Sequence, residues 1–141
     1  MEVKVTHIDR VKFLIKTESN SIVCDQPTEN GGDDEGMTPP ELLLASLGSC
    51  AAFYALQYLK SRSLAENGVE VTVTAEKLKL PARVGNFCIL VRCPVHLTTD
   101  QVEALTRSVH HCLIHNTLLS PPEIRLELEL AEPAPSAAQA S

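Results

Sequence analysis

Two cysteines stand where thiol chemistry could take place. Cys50 lies in a Leu- and Ala-rich run, and Cys112, about sixty residues later, falls on the apolar stripe of a second run. The thiolate is the reactive form, and an unassisted thiol with a pKa near 8.5 is only about 3% ionised at pH 7. Burial alone raises that pKa and leaves an inert core thiol. Reactivity therefore needs a cation or hydrogen-bond donor brought to the sulfur from elsewhere. If both runs are helices and pack together, their inward thiols come within disulfide range, about 4.4–6.8 Å between Cα atoms. A thiolate that attacks a peroxide becomes a sulfenic acid, and a second thiol condenses with it. Cys50 and Cys112 would suffice for that cycle, and each equally fits a packed core position.

The other polar clusters offer less. Cys24, Cys88 and Cys93 bring the cysteine count to five. An odd number without a CxxC pair speaks against a secreted disulfide framework and against a zinc knuckle. Cys24 reads as a strand residue. Cys88 and Cys93, five apart in one strand, point to opposite faces. His111 and His115 have the i, i+4 spacing of a zinc pair, with His110 and Cys112 beside them. On a regular helix these residues cannot all face one ion, so they read as histidines complementing a helix C-terminus. Asp33-Asp34-Glu35 lacks the spacing of a calcium loop and reads as solvated. Neither a metal nor another cofactor is expected.

The elements that must position the two thiols follow from periodicity. Residues 1–24 alternate as β-structure, with a turn at Glu18–Ser21 and a short third strand at Ile22–Cys24. Residues 25–38 form an acidic, Gly-rich loop, expected to be mobile. Thr38-Pro39-Pro40-Glu41 is a helix start: prolines fit the first turn, and Thr38 with Glu41 makes a capping box. This helix should run to about Arg62 and is apolar nearly all round, which marks a helix buried on every side. One sheet of so small a chain cannot bury it, whereas a second subunit can. The small residues between Ala45 and Ala52 would permit a close helix crossing. A strand over Val69–Glu76, a turn at 81–86 and a strand over Phe87–Val95 come next. Thr98 to Gln101 is a second capping box, opening a helix with Val102, Leu105, Val109, Cys112 and Leu113 as its stripe. After Pro121-Pro122, Ile124, Leu126, Leu128 and Leu130 alternate with charged residues as a last strand. The order β-β-β-α-β-β-α-β is α+β, two main helices on a sheet. It makes one domain over residues 1–130, followed by a tail at 131–141 too poor in apolar residues to order.

Composition sets the surroundings. Length fits one domain: 141 residues with a net charge of −6 and scattered Lys and Arg. Nucleic acid is therefore not an expected partner. No apolar signal region opens the chain and no apolar run approaches the roughly 20 residues of a membrane span, so the expected location is the cytoplasm.

The residues around both cysteines resemble a known family. GMTPPELLLASLGSC, residues 36–50, resembles the signature of the OsmC/Ohr peroxide-resistance family, with its Pro-Glu-Leu-type helix start and terminal Cys. Asp25-Gln-Pro and Gly31-Gly32 resemble the family's preceding loop. His111-Cys112-Leu-Ile-His-Asn-Thr-Leu118 resembles its second-cysteine segment, where Pro more often follows the Cys. The order of elements matches over about residues 1–130. The resemblance implies an intertwined homodimer with sites at the subunit interface. It also implies thiol-dependent reduction of organic hydroperoxides, recharged by a dithiol. Cys50 corresponds to the peroxidatic cysteine and Cys112 to the resolving one. Two departures stand out. Pro40 occupies the position of the family's catalytic Glu, with Glu41 one place later, about 100° around a helix. The family holds its thiolate with an N-terminal Arg. Arg10 is the one Arg before Cys50, and Arg62, Arg83 or Arg92 of a partner subunit could substitute. A protein that kept the fold without this activation would instead bind a small apolar ligand in the dimer cleft.

Overall fold

Alternation over the first residues becomes a three-stranded antiparallel sheet of β1 (Lys4–Asp9), β2 (Lys12–Lys16) and β3 (Ser21–Cys24). The computed structural model describes residues 1–131. Thr28–Asn30 forms one 3-10 turn, and Pro39–Ser61 is the long helix α1. An antiparallel pair follows, β4 (Glu70–Lys79) and β5 (Ala82–Arg92). Two further helices follow, α2 (Thr99–His110) and α3 (Leu113–Leu119). The strands thus divide into two sheets rather than one.

Helix α1 builds the core. Its Leu47, Ala51, Ala55 and Leu59 recur every fourth residue, form one stripe and are fully buried. Ala51, Ala55 and Leu59 pack with Leu105 and Val109 of α2, and Val71, Ile89 and Val91 of the hairpin close over them. Gly48 lets the helix approach β4, because a Cβ there would sit 3.0 Å from Val73 Cγ2. One of the small residues expected at a helix crossing thus serves a helix–strand crossing. Within one chain α1 is buried on this stripe only. Ala45, Ser49, Phe53 and Gln57 lie exposed on the opposite side, Phe53 at 60%. By length and apolarity α1 could cross a membrane, contrary to the expectation that no run in the chain approaches a span. Here it is the core helix of the fold.

Three expectations need correction. The turn of the β4–β5 hairpin is at Leu80 and Pro81, not over 81–86. Gly85 and Asn86 instead mark an irregularity in the ladder, opposite Thr74 and Glu76. Asn86 has a φ of 54° there and donates its side-chain amide to Glu76 at 2.7 Å. Turn-type residues serve a bulge as well as a turn, so the two look alike in sequence. Second, the helix expected to carry both Val109 and Cys112 breaks between them. His111 ends α2, and Cys112 is the N-cap of α3. Leu113 leaves the expected stripe and lies exposed. Third, the described residues from Pro121 to Ala131 form neither helix nor strand. Ile124, Leu126, Leu128 and Leu130 are 79–89% exposed. The alternation suits a strand, but a strand needs an edge to pair with, and this segment meets none in a single chain. The expected tail lies, from residue 132 onward, outside the described residues.

The acidic loop is held from within. Asp25 is completely buried, and its carboxylate accepts the N–H groups of Gln26 at 2.8 Å, Asp33 at 3.1 Å and Glu35 at 3.1 Å. Only glycine fits at Gly32, where a Cβ would fall 1.8 Å from the Gln26 oxygen. Outside, Arg10 pairs with Asp33 at 2.5 Å, and Lys12 bridges Asp33 and Glu35. A loop expected to be mobile is thereby tied to β1 and β2 and delivers Thr38 to the start of α1. Burial pushes the Asp25 carboxyl up, but the N–H groups of Glu35, Gln26 and Asp33, with the charge of Lys12, more than offset it. The net shift is downward. A folded-state pKa below the unfolded value of about 3.9 contributes stability that is complete above that value. The contribution is lost as pH falls through the folded value. Asp25→Asn is expected to be less stable than wild type at neutral pH and to lose less further stability below about pH 4. Urea-unfolding midpoints across that range check this.

Candidate active site

Cys50 lies three turns into α1, on the side that meets α3. It is half-buried, whereas Cys112 is fully buried. The break at Cys112 brings the two together. As the N-cap, Cys112 turns its sulfur back over the first turn of α3, where it accepts the N–H of His115 at 3.4 Å. The first N–H groups of a helix have no partner inside it. The N–H groups of Leu113 and Ile114, together with the Cys112 thiol, lie close enough to the Cys50 sulfur to favour its thiolate.

The two sulfurs are driven apart in acidity. Burial pushes Cys50 up, but the Cys112 thiol and the N–H groups of Ile114 and Leu113 stabilise its thiolate and bring it below the ordinary value. Burial pushes Cys112 up, and the neighbouring Cys50 sulfur adds to that, so its proton is held. One sulfur is thus inclined to be the thiolate and the other the thiol that donates to it. Both are free. The donors acting on Cys50 are backbone groups and a thiol, and no arginine of the same chain is among them.

The other sequence-derived residues take different places. Arg10, in the β1–β2 turn, is paired with Asp33. Pro39 and Pro40 open α1. The Glu41 carboxylate accepts the Thr38 N–H at 2.8 Å and the Thr38 hydroxyl at 2.8 Å, which lower its pKa. Its role in the fold is capping. The helix break separates His111 from His115, and among the described residues no three of His, Cys, Asp and Glu gather to hold a metal ion. Cys88 is exposed, and Cys93, expected in the same strand, lies one residue beyond β5 and packs against the core. Two features went unread in the sequence. One is the pair of α3 N–H groups. The other is a cavity of about 580 Å³ between α1, β5 and α3, walled by Leu47, Val84, Phe87, Ile89, Leu118 and Leu119 and holding His115 and Arg83 as its polar side chains. A proline after Cys112 would have announced a helix start, and here Leu113 stands in that place.

Residues 32–127 match the OsmC-like protein family. The chain belongs to that family. No curated protein matches it. Among solved structures, a protein of Psychrobacter arcticus 273-4 is similar, with a TM-score of 0.74 and 22% identity, over 82% of this chain and 85% of that one. An organic hydroperoxide resistance protein OsmC of Legionella pneumophila superposes with a TM-score of 0.61 at 18% identity, over 84% and 89%. The organic hydroperoxide resistance protein OhrB of Bacillus subtilis gives 0.59 at 19% identity, over 92% and 98%. At these identities the likeness is one of fold. It bears out the α+β class and the OsmC-like architecture expected from the order of elements.

The geometry of this OsmC-like site makes Cys50 depend on Cys112. Cys112→Ala removes the thiol donor and is expected to shift the pH midpoint of Cys50 alkylation by iodoacetamide upward. Cys112→Ser, which keeps a donor, is expected to shift it less. Alkylation rates followed by mass spectrometry across pH measure both.

Proposed function

We propose that this protein is a thiol-dependent peroxidase that reduces organic hydroperoxides with Cys50 as the attacking thiolate and Cys112 as the resolving thiol. The observation that carries the reading is the paired acidity of the two sulfurs, one lowered by donors at the start of α3 and the other kept protonated. Cys50 attacks the peroxide and becomes a sulfenic acid. The Cys112 thiol then displaces the hydroxyl as water and closes a disulfide, and a dithiol reductant reopens it. Membership of the OsmC-like family, and the hydroperoxide-resistance names of two structural neighbours, support the same chemistry. The cytoplasm, a reducing compartment, suits a cycle that ends in dithiol exchange.

Mass spectrometry after one equivalent of cumene hydroperoxide tests it. Wild type is expected to form a Cys50–Cys112 disulfide. Cys112→Ser is expected to accumulate sulfenic or over-oxidised Cys50, and Cys50→Ser to show no fast reaction. Peroxide consumption by Cys50→Ser at the wild-type rate would sink the assignment.

A second reading has one specific observation behind it. Arg10 is engaged by Asp33 and Glu41 by Thr38, while an apolar cavity stands between α1, β5 and α3. A non-catalytic protein that binds a small apolar ligand would look the same. Wild type that ignores peroxide favours this reading.

We further propose that the protein works as an interlocked homodimer. Phe53 on α1 and the alternating Ile124, Leu126, Leu128 and Leu130 are exposed in the single chain. A strand-like segment without an edge and an apolar helix face without a cover are both completed by a second copy. Sedimentation at low micromolar concentration is expected to give a dimer, and a stable, well-folded monomer would refute this.

A further inference from the structure

His115 takes no part in that cycle, yet it lines two apolar cavities. The cavity of about 580 Å³ and a second of about 330 Å³ share two wall residues, Ile89 and His115. His115 follows directly on Leu113 and Ile114, whose N–H groups face Cys50, and its own N–H donates to Cys112 at 3.4 Å. Leu47, one turn before Cys50 on α1, lines the larger cavity with it. Leu47 is one turn from Cys50 and His115 one turn from Cys112, so a peroxide in that cavity lies against His115 and within one helical turn of each thiol position.

The ring is also unusual in its bonding. Its Nδ1 is buried and has no hydrogen-bond partner among the described residues. A histidine kept for structure is normally fixed in one tautomer by a carbonyl or carboxylate, and a buried ring nitrogen without one calls for another role. The titratable and charged groups around it are few. The His110 ring of α2 lies 5.2 Å away, Cys93 beyond β5 lines the smaller cavity, Arg83 of β5 lines the larger, and Cys50 and Cys112 lie on the thiol side.

We propose that His115 is the acid that protonates the alcohol leaving from the hydroperoxide. This rests on the peroxidase reading and adds the step that reading leaves open. The Cys50 thiolate attacks the terminal oxygen of ROOH and a sulfur–oxygen bond forms. The O–O bond breaks and its electron pair goes to the RO oxygen. Sulfur is oxidised by two electrons and the peroxide is reduced. The RO oxygen takes a proton from the protonated His115 ring and departs as ROH, leaving Cys50 as the sulfenic acid. In an apolar cavity a free alkoxide would be unstable, and the remaining lining groups offer little alternative. A guanidinium such as that of Arg83 does not give up its proton. The Cys112 proton is needed in the next step, when the hydroxyl of the sulfenic acid leaves as water.

The test compares two oxidants of similar size with different leaving groups. Cumene hydroperoxide releases a strongly basic alkoxide, whereas perbenzoic acid releases benzoate, which needs no acid. His115→Gln is expected to slow Cys50 oxidation by cumene hydroperoxide about a hundredfold, and by perbenzoic acid less than about threefold. In His115→Ala, added imidazole is expected to restore the cumene hydroperoxide rate. A merely structural role for His115 predicts equal losses with both oxidants and no rescue, and that result overturns the proposal while leaving the Cys50 chemistry in place. Wild type inert to both oxidants would instead overturn the peroxidase reading, and this assignment with it.

Discussion

The first N–H groups of an α-helix must find partners outside the helix, and at α3 two of them lie close to the sulfur of Cys50. That requirement explains the local architecture. A helix running unbroken from Thr99 past Cys112 would spend those N–H groups on its own backbone. By ending α2 at His110 and restarting at Leu113, the chain frees them and puts Cys112 at the joint. Cys112 then serves twice. Its sulfur accepts the His115 N–H as an N-cap, and its thiol lies near enough to Cys50 to favour the Cys50 thiolate. For a half-buried thiol deep inside a helix, where that helix's own dipole is of little help, the groups that favour the thiolate thus come from the start of another helix.

The rest of the fold holds these two helix segments in register. The Leu47–Ala51–Ala55–Leu59 stripe fixes the rotation of α1, and so the side on which Cys50 emerges. Gly48 sets how closely α1 lies on β4. Buried Asp25 gathers the acidic loop so that Thr38 and Glu41 can cap α1 at a defined point. Glu41 and Arg10, the carboxylate and the arginine that the sequence offered as candidates to assist the thiolate, are occupied with capping and with the Asp33 pair. Backbone donors provide what a charged side chain would otherwise provide, with the benefit that their direction is set by the helix itself.

Much of this could be read in advance, for identifiable reasons. Capping boxes at Thr38 and Thr98 are local patterns, formed by residues three apart, and both appear where the residues put them. The β1–β3 meander and the long α1 follow from periodicity, which short-range geometry dictates. The misreadings are equally instructive. Gly85-Asn86 and Leu80-Pro81 are both turn-forming pairs, and only pairing with the opposite strand decides which becomes the turn. The alternation of Ile124 to Leu130 specifies a strand in principle, but a strand exists only once an edge is available. The break before Leu113 carries neither glycine nor proline, so the apolar spacing of Val109 and Cys112 was read through it.

By itself, the sequence determined the class of the fold, the caps of its two principal helices, and the identity of the two thiols worth watching. These depend on residue type and on spacings of two to four residues, which act within one element. The tertiary structure alone decided that Cys50 meets the opening turn of α3, that Cys112 lies near it, and that His115 lines two cavities. Those are contacts across some sixty residues of chain. No local pattern encodes them, because they depend on how α1, α3 and the β4–β5 hairpin pack against one another.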